Sequence, residues 1–204
     1  MSTSVPVRYD ELAGRVQFNC RGAELDVILP ALRWATRRFC QRTEVWQVEL
    51  DPINLVAEQV DYAIGTDNWT ASIVRIVEVR LRSDEEVASG ATGAIVAGQF
   101  YTFTPPSTLT LNDQIEPHAA VTDGLVVKVI LLPSLEAVEL DSWLFNRYGE
   151  ALIAKAVHDL KGQQDKPWSD PKGRDEWRFE YLRGIANARG DLARGFSIGE
   201  GLQA

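Results

Sequence analysis

The hydrophobic pattern of this chain changes period twice, which requires a β segment set between helical ones. From Leu25 the apolar residues fall at Ile28, Leu29, Leu32, Ala35 and Phe39, the spacing of one helix face. Pro30 suits a first helical turn and not an interior one, so the main helix is expected to start near Pro30, after a short turn at Ala23 to Ile28, and to end near Arg42-Thr43. From Val45 to about Leu132 the pattern is strand-like. Strands are predicted over Val45–Leu50, Val60–Ile64, Ala71–Leu81, Ala94–Phe103, Ser107–Leu111 and Leu125–Leu132. The last of these is apolar on both faces apart from Lys128, as a central strand would be. The helix period returns at Asp141, with Phe145, Tyr148, Leu152, Ala156 and Leu160 in a stripe that Gly162 ends. A final helix is expected from Ser169 or Asp170 as cap, with Pro171 at its first position and Trp177, Tyr181, Ile185 and Ala188 facing inward.

The fold class that follows is α+β. A three-helix bundle base, one helix N-terminal and two C-terminal, carries an inserted antiparallel β-sandwich or barrel-like domain. The boundaries expected are 1–43 for the N-terminal segment and helix, 44–140 for the β domain and 141–189 for the helical hairpin. Residues 190–204 are expected to form an extended arm, because Gly190, Gly195, Gly199 and Gly201 interrupt any helix there and Leu192, Phe196, Ile198 and Leu202 follow no amphipathic period.

Charge separates along the same boundaries. The chain carries a net −8, with +3 in residues 1–43, −11 in 44–140 and zero in 141–204. An acidic middle repels a nucleic-acid backbone, which argues against a reader that binds by phosphate neutralisation. No apolar run approaches the roughly 18 residues of a membrane span, and the first ten residues do not read as a secretory signal.

Residues that carry chemistry are sparse. His118 is expected in a loop and His158 on a helix, both structural, without a second His or Cys at metal-ligand spacing. Cys20 and Cys40 are too few for a metal site or a disulfide framework and are expected as buried thiols. Ser89-Gly90-Ala91-Thr92-Gly93 reads as a hairpin loop. Asp84-Glu85-Glu86 reads as a solvated turn and lacks the alternating ligands and glycine of a Ca²⁺ loop. With no nucleophile–base or acid–base pair to name, an enzyme is not expected, and neither is a cofactor or a bound metal.

One basic focus stands out: Arg33, Arg37, Arg38 and Arg42 on the first helix. It reads either as a solvated face complementing the helix dipole, or as a contact for an acidic surface of another copy of the chain. Of the six tryptophans most are expected at the core or at element junctions and some at interfaces, with Trp168 grouped with the arginines as an interface candidate.

The same residues resemble a known family. Ala35-Thr36-Arg37-Arg38-Phe39-Cys40-Gln41-Arg42-Thr43 followed by Trp46 is similar to the first helix of tailed-bacteriophage head-to-tail adaptor (neck, or connector) proteins. Leu131-Leu132-Pro133-Ser134 resembles the end of that family's β region, and Tyr148-Gly149-Glu150-Ala151-Leu152 its next helix. Lys166-Pro167-Trp168-Ser169-Asp170-Pro171 resembles its interhelical hairpin, and Phe179 to Arg189 its last helix. The resemblance covers about residues 22–60 and 125–195, with layout alone between them.

It implies a structural virion protein, assembled in the host cytoplasm into a ring, usually of twelve subunits, beneath the portal protein. The other side of the ring would receive a tail tube, nozzle or stopper protein, and genomic DNA would pass through without sequence-specific binding. On this reading Leu192, Arg194, Phe196, Ile198 and Leu202 form a portal-docking arm, and Asp84, Glu85 and Glu86 are candidates for an acidic lumen. Two other readings stay open: a stopper or tail terminator of the same neck, and a carbohydrate- or ligand-binding β module using Tyr101, Phe103 and Trp69.

Overall fold

The structure is a computed structural model describing residues 6–66, 71–115, 117 and 119–195. It mixes helix and sheet, with a sheet curled as a half-barrel. The chain divides into two compact units: residues 1–46 with 132–204, and residues 47–131.

The first unit holds four helices among its described residues, where three were expected. The additional one is α1 (Asp10–Asn19), whose Leu12, Ala13 and Val16 are buried. It lies against α2 (Leu25–Thr43) and α4 (Ser142–Lys161). Before it, β1 (Pro6–Arg8) pairs antiparallel with β10 (Glu139–Asp141).

Helix α2 begins earlier than Pro30. The amides of Val27 and Ile28 already bond the Glu24 carbonyl, at 3.1 and 3.0 Å, so Pro30 sits inside the helix. Its missing N–H leaves the Asp26 carbonyl without an intrahelical donor, on a face where both residues are exposed. The helix ends at Thr43, with Glu44 in the left-handed region as cap. In α4 the side chain of Asp141 accepts from the Trp143 amide at 2.8 Å, the expected N-cap, and Gly162 closes the other end. The stripe turns slightly from the expected one, burying Leu144 while leaving Phe145 half-exposed.

Helix α5 (Arg174–Ala193) begins later than expected, with Gly173 and not Ser169 or Asp170 at its N-cap position, and Asp170 closes the turn just before it. Asp170 Oδ1 accepts from the Gly173 amide at 2.9 Å, and its carbonyl accepts from the Arg174 amide at 3.0 Å. The helix runs through Gly190 to Ala193, where an extended arm was expected from residue 190; residues 196–204 lie outside the described residues. Phe39 of α2, Trp143 and Tyr148 of α4, and Tyr181 of α5 form the aromatic centre. Phe39 and Tyr148 ring centroids lie 5.1 Å apart, and Trp143 meets Tyr148 edge-on at 5.4 Å.

The second unit is built on β9 (Val121–Pro133), nearly all buried and internal to a sheet of order β2-β9-β5-β6. β2 (Gln47–Glu49) and β3 (Ile53–Leu55) both pair antiparallel with β9, opposite residues 128–130 and 121–125. They make one edge, interrupted at Asp51-Pro52 where Pro52 has no N–H to offer the ladder. β5 (Ala71–Leu81) pairs with β6 (Ala94–Ile95). A separate sheet has the order β4-β8-β7, from β4 (Asp61–Ala63), β7 (Tyr101–Thr104) and β8 (Thr108–Leu111).

The strand predicted over Ala94–Phe103 is thus two strands in different sheets. A 3₁₀ turn at Gly98–Phe100 separates them. Between β5 and β6 lies α3 (Asp84–Ser89), where a solvated turn was expected.

Candidate functional site

The described residues hold no group of three His, Cys, Asp or Glu placed to bind a metal ion. Both cysteines are buried free thiols. Burial pushes the Cys20 thiol up to about 11 and the Cys40 thiol to about 12, which favours the protonated form of both at neutral pH. His158 has both ring nitrogens engaged by one residue: Nδ1 with the Arg174 carbonyl at 3.1 Å, and Nε2 with the Arg174 guanidinium at 3.3 Å. His118 lies outside the described residues. No helix among the described residues is long and apolar enough to cross a membrane.

What the helical unit does present is two surface recesses. A cleft of about 690 Å³ runs along α4 and α5, lined among others by Arg147, Tyr148, Trp177, Arg183 and Asp191. Its polar centre is Asp191, buried on the inner face of α5. Asp191 Oδ2 accepts from Arg147 Nε and from the Tyr148 hydroxyl, each at 2.9 Å, and Arg194 lies 3.5 Å from Oδ1. The bond from Arg147 is the main cause holding the Asp191 carboxyl below the usual carboxylate range. Desolvation, reinforced by the Asp191 charge, pushes the Tyr148 phenol up to about 12. The sequence reading missed this triad. Its one signal is spacing, since Asp191 follows Tyr181, Ile185 and Ala188 on the same face.

A second recess of about 620 Å³ is lined by Arg42, Glu44, Arg189 and Leu192 at the ends of α2 and α5. Arg189 donates to the Arg42 carbonyl from Nη2 at 2.9 Å, tying the two helix ends together.

The structure brings Arg33, Arg37, Arg38 and Arg42 onto one helix but gives them different surroundings. Arg37 Nη1 donates to the Pro133 carbonyl at 2.8 Å. Arg33 is half-buried, with its Nε unpartnered, while Arg38 and Arg42 are exposed. Trp34 beside them is 48% exposed. Trp168 is half-buried and donates its indole N–H to Gln163 Oε1 at 3.1 Å, with the Lys166 ammonium 6.0 Å from its ring centre.

The acidic run Asp84, Glu85 and Glu86 occupies the first turn of α3, where carboxylates complement the helix dipole. Glu86 also closes a capping box, accepting from the Ser83 amide at 2.7 Å, which with the Ser83 hydroxyl lowers its pKa. Of the candidate arm residues, Leu192 lies in the last turn of α5 and Arg194 just beyond it. Phe196, Ile198 and Leu202 lie outside the described residues. Tyr101 and Phe103 share a half-buried face of β7, and Trp69 lies outside the described residues.

No family model matches the chain, and no curated protein matches it. Two solved structures are similar over most of their length. One is a chain of the neck of a native GTA particle, computed with C12 symmetry. It is 14% identical with a TM-score of 0.29, over 93% of this chain and 94% of that one. The other is a chain of the neck of an empty GTA particle, computed with C6 symmetry. It is 13% identical with a TM-score of 0.29, over 93% of this chain and 92% of that one.

Proposed function

We propose that this protein is a structural head-to-tail adaptor of a phage-type particle. It assembles as a ring beneath the portal, joins capsid to tail and gives passage to the genome. The observation that carries this reading is the segregation of charge between the two units. Residues 47–131 hold twelve acidic and four basic residues, a net of −8, so the remaining sequence is neutral. Repeated about twelve times around a ring, the β units alone would bring a charge near −100, a wall that phosphates slide past without holding. The neutral helical unit is suited to packing, with its aromatic centre and its exposed Trp and Arg residues. Asp84, Glu85 and Glu86 are proposed to face the channel, and residues 196–204 to engage the portal from the end of α5.

Removing residues 196–204 tests the arm. The cut falls after Gly195 because Asp191 is part of the helical core. The truncated protein is expected to keep its far-UV circular dichroism and to lose binding to a portal ring; undiminished portal binding would remove the docking role. Imaging of particles is expected to show this chain as a ring between the capsid vertex and the tail. A ring at the far side of the neck would make it a stopper or tail terminator, and its absence from the neck would end the reading.

A further inference from the structure

Helix α5 is apolar on two opposite sides. Its inner side buries Tyr181, Ile185 and Ala188 against the unit's core. On the outer side, Phe179, Leu182, Ala186, Gly190 and Ala193 follow one another at spacings of three and four, with Asp175 one turn before the line and Arg194 lying against Gly190 at its end. Phe179 is 71% exposed and Leu182 39%. A helix with two apolar sides belongs between two partners, and one of them is α4.

The same unit carries a second uncovered face of complementary chemistry. On the outer side of α2, Trp34 stands among Pro30, Arg38 and Gln41, opposite the buried Ile28, Leu32, Ala35 and Phe39. After Asp26 this helix contains four arginines and no acidic residue. The first turn of α5 carries Asp175 and Glu176, both exposed, one turn before Phe179.

The two faces match in register when the helices run antiparallel. Trp34 set against Phe179 and Leu182 brings Arg38, four residues on, opposite Asp175 and Glu176, three to four residues back. Each step is about 6 Å along its helix axis. We propose that the outer face of α5 in one copy packs antiparallel on the Trp34–Arg38 face of α2 in the next. Because the two faces differ, the contact is head-to-tail, the type of contact that closes into a ring. A Trp anchor flanked by arginine and carboxylate is the composition of an energetic centre of an interface. This deepens the ring reading and rests on it for self-association alone, not for a place in a particle.

The test uses two full-length variants, Pro30→Cys and Ala186→Cys, both exposed and one helical turn from the Trp34–Leu182 contact, which they leave intact. One is tagged, and the two are mixed at the highest soluble concentration and treated with a short bismaleimide. The native thiols are buried and compete poorly. A mixed cross-linked dimer is expected at about ten times the yield given by Pro30→Cys with an exposed control, Gln99→Cys, as a facing pair raises the local concentration of its partner. Arg38→Glu in the Pro30→Cys chain should reduce that yield to the control level. Glu176→Arg together with Asp175→Arg in the Ala186→Cys chain should restore it. Homodimers from either variant alone would show a two-fold contact and overturn the proposal, as would a mixed yield no greater than the control. Cross-linking by a protein absent from particle necks would sink the adaptor reading and leave this interface standing; a neck ring without the cross-link would do the reverse.

Discussion

Gly184 on α5 lies directly over Ala151 on α4, so close that a methyl group on the glycine would overlap the alanine's Cβ. The two helices meet there with backbone nearly against side chain, and Phe39 of α2 reaches the same point, 3.9 Å from that methyl position. Elsewhere in a helix interior, Gly→Ala gains up to about 1 kcal/mol of helix propensity. Here the overlap outweighs that gain. Gly184→Ala is expected to lower unfolding free energy by about 1–3 kcal/mol in urea denaturation. Ala151→Gly in the same chain should recover part of the loss, and a neutral or stabilised Gly184→Ala would contradict the packing described.

Asp191 predicts an acid limb. Its folded carboxyl titrates below the unfolded value, so its contribution is present above roughly pH 4 and is lost as pH falls through the folded value. Asp191→Ala removes the acceptor for Arg147 and Tyr148 and is expected to cost about 2 kcal/mol at neutral pH. Asp191→Asn should flatten the acid limb of a stability–pH curve. An unchanged limb would mean that the carboxylate gains nothing from its partners.

Tyr148 predicts the alkaline side. Its phenol is raised in the folded state to about 12, so its contribution is complete below roughly pH 10 and is lost as pH rises through about 12. Tyr148→Phe should remove this share of the alkaline loss. Ultraviolet titration of the folded protein should show one fewer late-ionising tyrosine.

Two glycines separate backbone strain from steric clash. Gly90 and Gly93 both hold positive φ, +70° and +79°. A Cβ at Gly90 meets open space, while one at Gly93 would lie 2.6 Å from the Leu81 carbonyl oxygen. Gly90→Ala should cost about 1 kcal/mol, the left-handed penalty alone. Gly93→Ala should cost clearly more and loosen the β5–β6 pairing, which amide exchange at Leu81 and Val96 would report. Equal losses would leave the carbonyl contact without weight.

Thiol chemistry gives an independent check on the core. Cys20 and Cys40 are buried with raised pKa values. An aromatic disulfide reagent should therefore modify the native protein slowly and both thiols promptly in denaturant. Prompt reaction of either in the native state would place it nearer the surface.

The elements legible in the sequence were those long enough to repeat a period. β5 occupies Ala71–Leu81 as predicted, and α4 begins at its predicted cap, because eleven and twenty residues show alternation and a stripe unmistakably. β1, β3 and β10 are three residues each and carry no period to detect. α1 is only three turns long, with its buried Leu12, Ala13 and Val16 crowded into two of them.

Pro30 misled the start of α2, because a proline that faces solvent, together with the Asp26 carbonyl its missing N–H would have bonded, is tolerated beyond the first turn. Gly190 misled the end of α5 in the opposite sense, since the buried Asp191 beside it fastens that turn. A carboxylate is read from sequence as surface, so the centre of the α4–α5 cleft was invisible until its two donors were brought to it by the fold. The arginines of α2 were legible as a group, but only the structure separates Arg37, spent on the Pro133 carbonyl, from the outward-facing Arg38.

The clamp on Asp191 sits four residues before Gly195. Any pull applied to the end of the chain therefore reaches, within a single helical turn, a carboxylate held by two side chains of the neighbouring helix. Such a load would pass into α4 before α5 could peel from its C-terminal end, so the last turn of α5 would act as a mechanical fastening.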